Sequence, residues 1–187
     1  MRIISGKYKG RKIIQPIDRK TRPLKDLAKE SIFNLIKHSN LFKTNIENSS
    51  VLDLFSGVGS FGIECLSRGA SHVVFFENYK KSLDILKKNL LILKCIEKTT
   101  ISELDVFDKN NFLKINLKFD IIFIDPPFAE KRLSAIIKNI IELKLLKKRG
   151  ILIIHRHKKE IDIFPINFKI LLEKTYGISK IIFGNFY

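Results

Sequence analysis

The stretch from Val51 to Glu77 constrains this chain more than any other. Val51-Leu52-Asp53-Leu54-Phe55 is a short apolar run carrying one acid. After Ser56, Gly57-Val58-Gly59-Ser60-Phe61-Gly62 fits G-x-G-x-x-G at the exit of that strand. A helix from Gly59 to Arg68, ended by Gly69, leads into a second strand, HVVFFE. Glycines at such a turn let the backbone bend tightly and approach a ligand closely. Glu77 follows Gly57 by 20 residues, at the tip of the second strand. A carboxylate there is placed to accept both hydroxyls of a ribose. The pattern reads as a nucleoside-cofactor site. A glycine turn needed only for helix–sheet packing would leave Glu77 unexplained.

The loop alone does not name the cofactor. A dinucleotide would set its pyrophosphate on the helix N-terminus, but Asp53 lies four residues before Gly57. A carboxylate repels a pyrophosphate and attracts a cation. S-adenosylmethionine (SAM) carries a sulfonium and an ammonium and no phosphate, so D-L-F-S-G-V-G favours SAM over NAD. The plainer reading of Asp53 is a turn-capping acid.

A second motif, Asp125-Pro126-Pro127-Phe128, ends the apolar run FDIIFI. Two prolines fix φ twice and remove two backbone donors. What remains is a rigid row of acceptors followed by an aromatic face. That suits a planar base with an exocyclic amine: acceptors take the amine hydrogens and Phe128 stacks on the ring, worth about 1–3 kcal/mol. Such an amine is a poor nucleophile because its lone pair is delocalised. Fixed acceptors help free that pair, and Asp125 is placed to stabilise the positive charge that grows on nitrogen. In-line alignment of nitrogen, methyl and sulfur supplies much of the rest. The plainer reading is a proline turn with Asp125 capping the next helix.

The remaining pattern alternates near-continuous apolar strands with helices, which implies a mainly parallel sheet covered on both faces. Residues 24–38 and 79–95 follow helical spacing, with a third strand near 100–104 and another helix over 131–146. GILIIHRH is a further buried strand, and the last 20 residues read as two strands joined near Tyr176–Gly177. At the start, RIISGKYKGRKIIQP reads as two short strands ending near Pro16. Residues 39–50 read as a polar linker. Tyr8 stacks on a base or packs beneath the hairpin. Lys147-Lys148-Arg149 is assigned to a helix C-terminus, where cations suit the dipole. His155 and His157 share a strand face but have no third ligand nearby, so a solvated loop is the expected reading and no metal is called for. Cys65 and Cys95 read as small buried apolar residues.

Charge bears on the partner. Lys and Arg number 35 against 19 Asp and Glu, a net charge of +16. With 31 Ile and 27 Lys in the chain, part of that charge is compositional skew, so its distribution is the better guide. Residues 1–29 hold ten Lys or Arg and two Asp, half of the excess. Arg2, Lys7, Lys9, Arg11 and Arg22, with Lys12, Arg19 and Lys20, suit contacts to phosphates. No apolar run approaches the ~20 residues of a spanning helix, and the first residues do not read as a secretory signal. The expectation is one cytoplasmic domain spanning 1–187, with a basic β-extension over 1–22 and a catalytic core over 51–187.

These residues carry a family resemblance. V-L-D-L-F-S-G-V-G-S-F-G, F-F-E, D-P-P-F and the N-terminal R-I-I-S-G-K-Y-K-G-R-K, with T-R-P-x-x-D at Thr21 to Asp26 and I-F-N-L-I after it, resemble the RsmD-like bacterial 16S rRNA (guanine-N2)-methyltransferases. The resemblance covers essentially the whole chain. The glycine and D-P-P-F motifs are shared by many amine methyltransferases, and the N-terminal segments are the specific part. It implies a class I SAM-dependent, Rossmann-like methyltransferase fold, a seven-stranded mainly parallel sheet with an antiparallel last strand. It implies methylation of one guanine N2 in 16S rRNA within an assembling small subunit. One domain with a catalytic cleft needs no partner subunit, so a monomer is expected, and the fold needs no metal. Asp53, Phe55, Ser56, Gly57 and Gly59 match the part that holds the methionine end of SAM. Glu77 matches the ribose acid, Asp105 and Val106 the adenine side, and Asp125, Pro126, Pro127 and Phe128 the catalytic loop. Leu24 and Lys29 depart from the family pattern, at a small hydroxyl residue and an arginine.

Three other functions compete. One is SAM-dependent methylation of another planar amine, adenine in RNA or DNA or a protein glutamine, which D-P-P-F does not separate from guanine. One is a nucleotide-dependent oxidoreductase, for which 187 residues show no substrate domain. The third is a non-catalytic RNA-binding assembly factor, against which the intact Asp125, Pro126, Pro127 and Glu77 argue.

Overall fold

Apolar residues at successive positions of the strands, rather than at alternate ones, mean both strand faces are buried. The computed structural model, which describes residues 1–15 and 26–186, shows how. Its elements are α1 (Asp26–His38), β1 (Ser50–Leu54), α2 (Ser60–Ser67), β2 (His72–Phe76), α3 (Lys80–Ile92), β3 (Thr99–Ser102), α4 (Asn110–Leu113), β4 (Phe119–Ile124), α5 (Leu133–Glu142), β5 (Leu146–His157), β6 (Lys169–Tyr176) and β7 (Ser179–Asn185). The strands form one seven-stranded sheet in the order β3-β2-β1-β4-β5-β7-β6. The first five run parallel; β7 is antiparallel to both β5 and β6. This is the class I methyltransferase arrangement.

Each face of the sheet has its own core. Val51, Phe75, Phe123 and Ile153 pack with Phe33 of α1, Phe61 of α2 and Leu86 of α3. Leu52, Val74, Ile122 and Ile154 pack with Phe112 of α4 and with Ile136 and Ile140 of α5. Sheet order reverses between β1 and β4, which opens a crevice at the carboxyl ends of the strands. Register sets the level of that crevice. Leu54 is paired with both Phe76 and Ile124, and Ile124 with Ile154. Phe55, Glu77, Asp125 and His155, each one residue further along, therefore form one row.

The N-terminal segment is a hairpin held by a single bridge, Arg2 with Lys12, rather than two full strands. It is tied to the core by side chains from α1 and α2. The buried Glu64 carboxylate accepts the amides of Ile4 and Ser5 and pairs with Arg68. The buried Lys29 ammonium donates to the Arg2 carbonyl and lies 3.9 Å from Glu64. Burial pulls the Lys29 pKa down, against the opposing pull of Glu64 and Asp26. Tyr8 packs into the core, which settles its two readings in favour of packing.

Gly6 is where this docking leaves no room. Its φ is +83°, and a Cβ there would sit 1.8 Å from the Ser67 carbonyl oxygen. The neighbouring Lys7 amide donates to that same carbonyl at 2.7 Å. Gly6→Ala is expected to undock the hairpin and cost roughly 2–3 kcal/mol, combining backbone strain with lost contacts. Thermal unfolding, with protease cleavage inside residues 1–15 as a local readout, checks it.

Two further expectations are corrected. Lys147, Lys148 and Arg149 do not close a helix: α5 ends at Glu142, and these residues lie in β5, where Lys147 pairs with Asp120. His155 and His157 are not in a solvated loop but on β5, with His155 buried. Arg19, Lys20, Arg22 and Leu24 lie outside the described residues, as does T-R-P of the T-R-P-x-x-D run. No helix among the described residues is long and apolar enough to cross a membrane.

Candidate active site

A cavity of about 990 Å³ occupies the carboxyl end of the sheet. Its floor is the glycine loop. Phe55, Gly57 and Gly59 all take left-handed φ, at 57°, 56° and 84°. Nothing lies within 4 Å of the place a Gly57 Cβ would fill, so its requirement is conformational. Gly62 is needed for space instead: a Cβ would lie 2.3 Å from the Phe75 ring. Ser56 donates its amide to the Phe76 carbonyl at 3.0 Å, and its carbonyl accepts the Gly59 amide at 2.8 Å.

Two acids brace this loop. Asp53 is buried and accepts the Gly62 amide at 2.9 Å. Burial pushes its carboxyl well above the usual range, a push that the Gly62 hydrogen bond opposes and nearby Asp125 and Glu77 add to. Glu77 accepts the Gly57 amide on one oxygen and the Tyr79 amide on the other, both at 2.7 Å. Burial raises its pKa, and the backbone amides of Tyr79, Gly57 and Asn78 hold it down. Glu77 therefore shapes the glycine loop as well as standing at the strand tip.

The electrostatic balance of the cavity is opposite to that of the chain. The described lining contains Asp26, Asp53, Glu77, Asp105, Asp125 and Glu130 against one arginine, Arg132, in a protein of net charge +16. A low-dielectric cleft lined with one sign of charge concentrates ligands of the other sign. The site suits a cationic ligand with a ribose and a planar base. On the base side, Val106 is buried, Asp105 caps the Phe107 amide at 3.0 Å, and Phe107 lies 5.8 Å from Phe55. The Arg132 guanidinium covers Phe107 at 3.4 Å and is held by Glu130. Phe107 and Arg132 were not expected from the sequence.

The D-P-P-F loop forms the opposite wall. The Asp125 amide donates to the Leu54 carbonyl at 3.2 Å, which ties the loop to β1. The Asp125 carboxylate meets His155 Nδ1 at 2.8 Å, and His155 Nε2 meets Ser179 Oγ at 2.9 Å. Phe128 contacts His155 and His157 edge-on, at 5.7 and 5.1 Å. Beneath the loop lies Arg156, fully buried, which chelates Asp162 and donates to the carbonyls of Pro127 and Glu130 at 3.3 and 2.9 Å. The Pro127 carbonyl also accepts the Glu130 amide at 2.9 Å, so Arg156 adds a second donor there and supplies the donor for the Glu130 carbonyl. The missed signal was the strand register: the residue after Ile154 must face the residue after Ile124.

Arg2, Lys7, Lys9 and Arg11 are exposed on the N-terminal hairpin. Met1 and Gln15 of the same segment line the cavity, so the basic surface borders the site. No cluster of His, Cys, Asp or Glu among the described residues has the form of a metal site.

Comparison with known proteins agrees with this geometry. The family described as conserved hypothetical protein 95 matches residues 1–185. The ribosomal RNA small subunit methyltransferase D of Haemophilus influenzae is 36% identical over 95% of this chain and 90% of its own length. A putative rRNA methyltransferase of Bacillus subtilis, YlbH, is 34% identical over 97% and 96%. Among solved structures, a putative methyltransferase from Escherichia coli, yhhF, superposes with a TM-score of 0.80 at 26% identity, covering 98% of this chain and 96% of that one.

Proposed function

Since this chain belongs to the family described as conserved hypothetical protein 95, which takes in the ribosomal RNA small subunit methyltransferase D proteins, we propose that it is a SAM-dependent ribosomal RNA methyltransferase acting on the exocyclic N2 of a guanine in the small subunit. The observation that carries the reaction is the Asp125 carboxylate on the rigid D-P-P-F wall, across an acid-lined cavity from the glycine loop. The substrate rests on the family.

When bound, SAM supplies an electrophilic methyl group on a sulfonium. Asp53 and the Phe55–Gly59 loop are assigned to its methionine end, Glu77 to the ribose hydroxyls, and Asp105, Val106 and Phe107 to the adenine. The target base stacks on Phe128. Asp125 accepts an amine N–H, frees the nitrogen lone pair, and stabilises the charge that develops as nitrogen takes the methyl, the methyl–sulfur electron pair leaving on sulfur and one amine proton then passing to water. The loop's rigidity holds that nitrogen in line. A ribosomal RNA substrate argues for work in the cytoplasm, and one cavity in one chain needs no second subunit. The core over 51–187 carries the chemistry and the N-terminal extension contacts RNA.

Labelled methyl transfer tests the reading. Unmodified small subunits, naked 16S rRNA, duplex DNA and a protein extract are offered in parallel, and the product nucleoside is identified. N2-methylguanosine from the subunit is the expected result. N6-methyladenosine or methylglutamine would keep the Asp125 chemistry and remove the substrate.

The hairpin gives a separate prediction. Each phosphate contact adds about 0.7–0.9 to the slope of log affinity against log salt. Replacing Lys7, Lys9 and Arg11 with Gln is expected to lower that slope by about 2–3 and weaken binding of small subunits, with the Kd for SAM unchanged. Filter binding across a salt series checks it.

A further inference from the structure

The methyl-transfer reading assigns no role to His155 or Ser179, yet both lie against the reacting wall. His155 is 5% exposed and Ser179 4% exposed, and they form an unbroken line to the Asp125 carboxylate: Oδ1 to Nδ1 at 2.8 Å, Nε2 to Oγ at 2.9 Å. The elements fix this geometry. β5 runs parallel to β4, so His155 faces Asp125 at the strand ends; β7 runs antiparallel beside β5 and brings Ser179 to the far side of the ring.

Hydrogen-bond chemistry settles which way the protons point. An ionised carboxylate only accepts, so the imidazole Nδ1 carries the hydrogen bonded to Asp125. In the neutral ring Nε2 is then an acceptor, and the Ser179 hydroxyl donates to it. The carboxylate selects the tautomer, Ser179 holds the far side of the ring, and the Nδ1 donor fixes one carboxylate oxygen. No described residue bonds the second oxygen, and Asp125 lines the cavity.

We propose that His155, its ring held in place by Ser179, is a positioning residue that orients the Asp125 carboxylate so that its second oxygen accepts the N–H of the target amine. His155 itself touches no reacting atom. The inference rests on the assignment of Asp125 to the amine, and it adds the reason why that carboxylate has one orientation. A side chain on a proline-fixed backbone still rotates about two bonds, and a 1 Å misplacement at a reacting centre costs on the order of 10²-fold in rate. Prolines rigidify the loop; the ring rigidifies the carboxylate.

The test compares His155→Asn with His155→Gln. The amide nitrogen of Asn falls near Nδ1 and can donate to Asp125. That of Gln falls near Nε2 and reaches Ser179 instead. A merely structural histidine would be replaced equally well or badly by the two. Turnover is measured on unmodified small subunits, with SAM affinity and melting temperature as controls, and His155→Leu and Asp125→Ala alongside. The expected result is a fall in kcat of about 10²-fold for Leu and Gln, recovery to within about tenfold for Asn, and little change in KM or in the Kd for SAM. Ser179→Ala, a small change in a buried site, keeps the proposal falsifiable should the His155 variants fold poorly: it is expected to lower kcat several-fold with the fold intact, and an unchanged kcat would overturn the proposal. Equal activity of the Asn and Gln variants would overturn it too, while leaving Asp125 in place if Asp125→Ala is inactive. Full turnover by Asp125→Ala would overturn both the proposal and the reading beneath it.

Discussion

Asp125→Ala is expected to lower kcat by roughly 10²–10³-fold, the scale seen when one preorganised group that stabilises transition-state charge is removed. The Kd for SAM should hold, because the glycine loop is braced by Asp53 and Glu77 and not by Asp125. Binding of small subunits should hold as well, since the basic hairpin is untouched. Asp125→Asn separates charge from geometry. Its amide oxygen can still accept from the amine, but it brings no negative charge to the nitrogen, and its rate should fall between the other two. Single-turnover methylation with enzyme in excess reads the chemical step directly. A rate for Asp125→Ala within a few-fold of the unaltered enzyme would remove Asp125 from the reaction and leave the cavity a SAM site whose acceptor lies elsewhere.

The two motifs that announce this site are legible because their chemistry is local. Gly57, Gly59 and Gly62 lie within six residues, and their backbone demands are written in consecutive positions. D-P-P-F likewise states its rigidity in four letters. The parallel sheet follows from strands apolar at every position, and the seven strands all form near their expected places. Glu77 was legible by its distance from Gly57, though only the structure shows its two oxygens capping the amides of Gly57 and Tyr79.

What the sequence hid is long-range. His155 and Arg156 look like a polar strand end, and whether a strand end is wet depends on what docks beside it. Ser179 is 24 residues away and Asp125 is 30, and neither pairing has a sequence period. Lys29 and Glu64 look like ordinary charges on amphipathic helices. They are buried because the N-terminal hairpin lies over them and supplies backbone amides and a carbonyl as partners. Lys147 to Arg149 misled because α5 ends early and β5 begins before Gly150, across a register shift opposite Phe119 and Ile121. α4 spans four residues, too few for any periodicity.

Arg156→Met is the substitution expected to cost most in stability. Arg156 is 0% exposed, and its guanidinium serves Asp162 and the carbonyls of Pro127 and Glu130 at once. Methionine matches much of the stem's volume, so packing is largely kept and the loss is electrostatic. It strands a carboxylate whose side chain is 7% exposed, leaves the Glu130 carbonyl without its donor, and leaves the Pro127 carbonyl with the Glu130 amide alone. Breaking a buried pair from one side costs about 3–5 kcal/mol, or roughly 6–20 °C in Tm for a chain of this size. Catalysis should fall beyond what unfolding explains, because the same residue bonds the Pro127 carbonyl of the D-P-P-F loop and the Glu130 carbonyl that follows it. Adding Asp162→Asn removes the stranded charge and should return part of the lost Tm, but it cannot return the loop's donor, so kcat should stay low in the double variant. Recovery of Tm without recovery of turnover, measured at a temperature where both variants are folded, would separate the two roles of Arg156. Recovery of both together would mean that the arginine only neutralises Asp162 and that the prolines alone hold the loop.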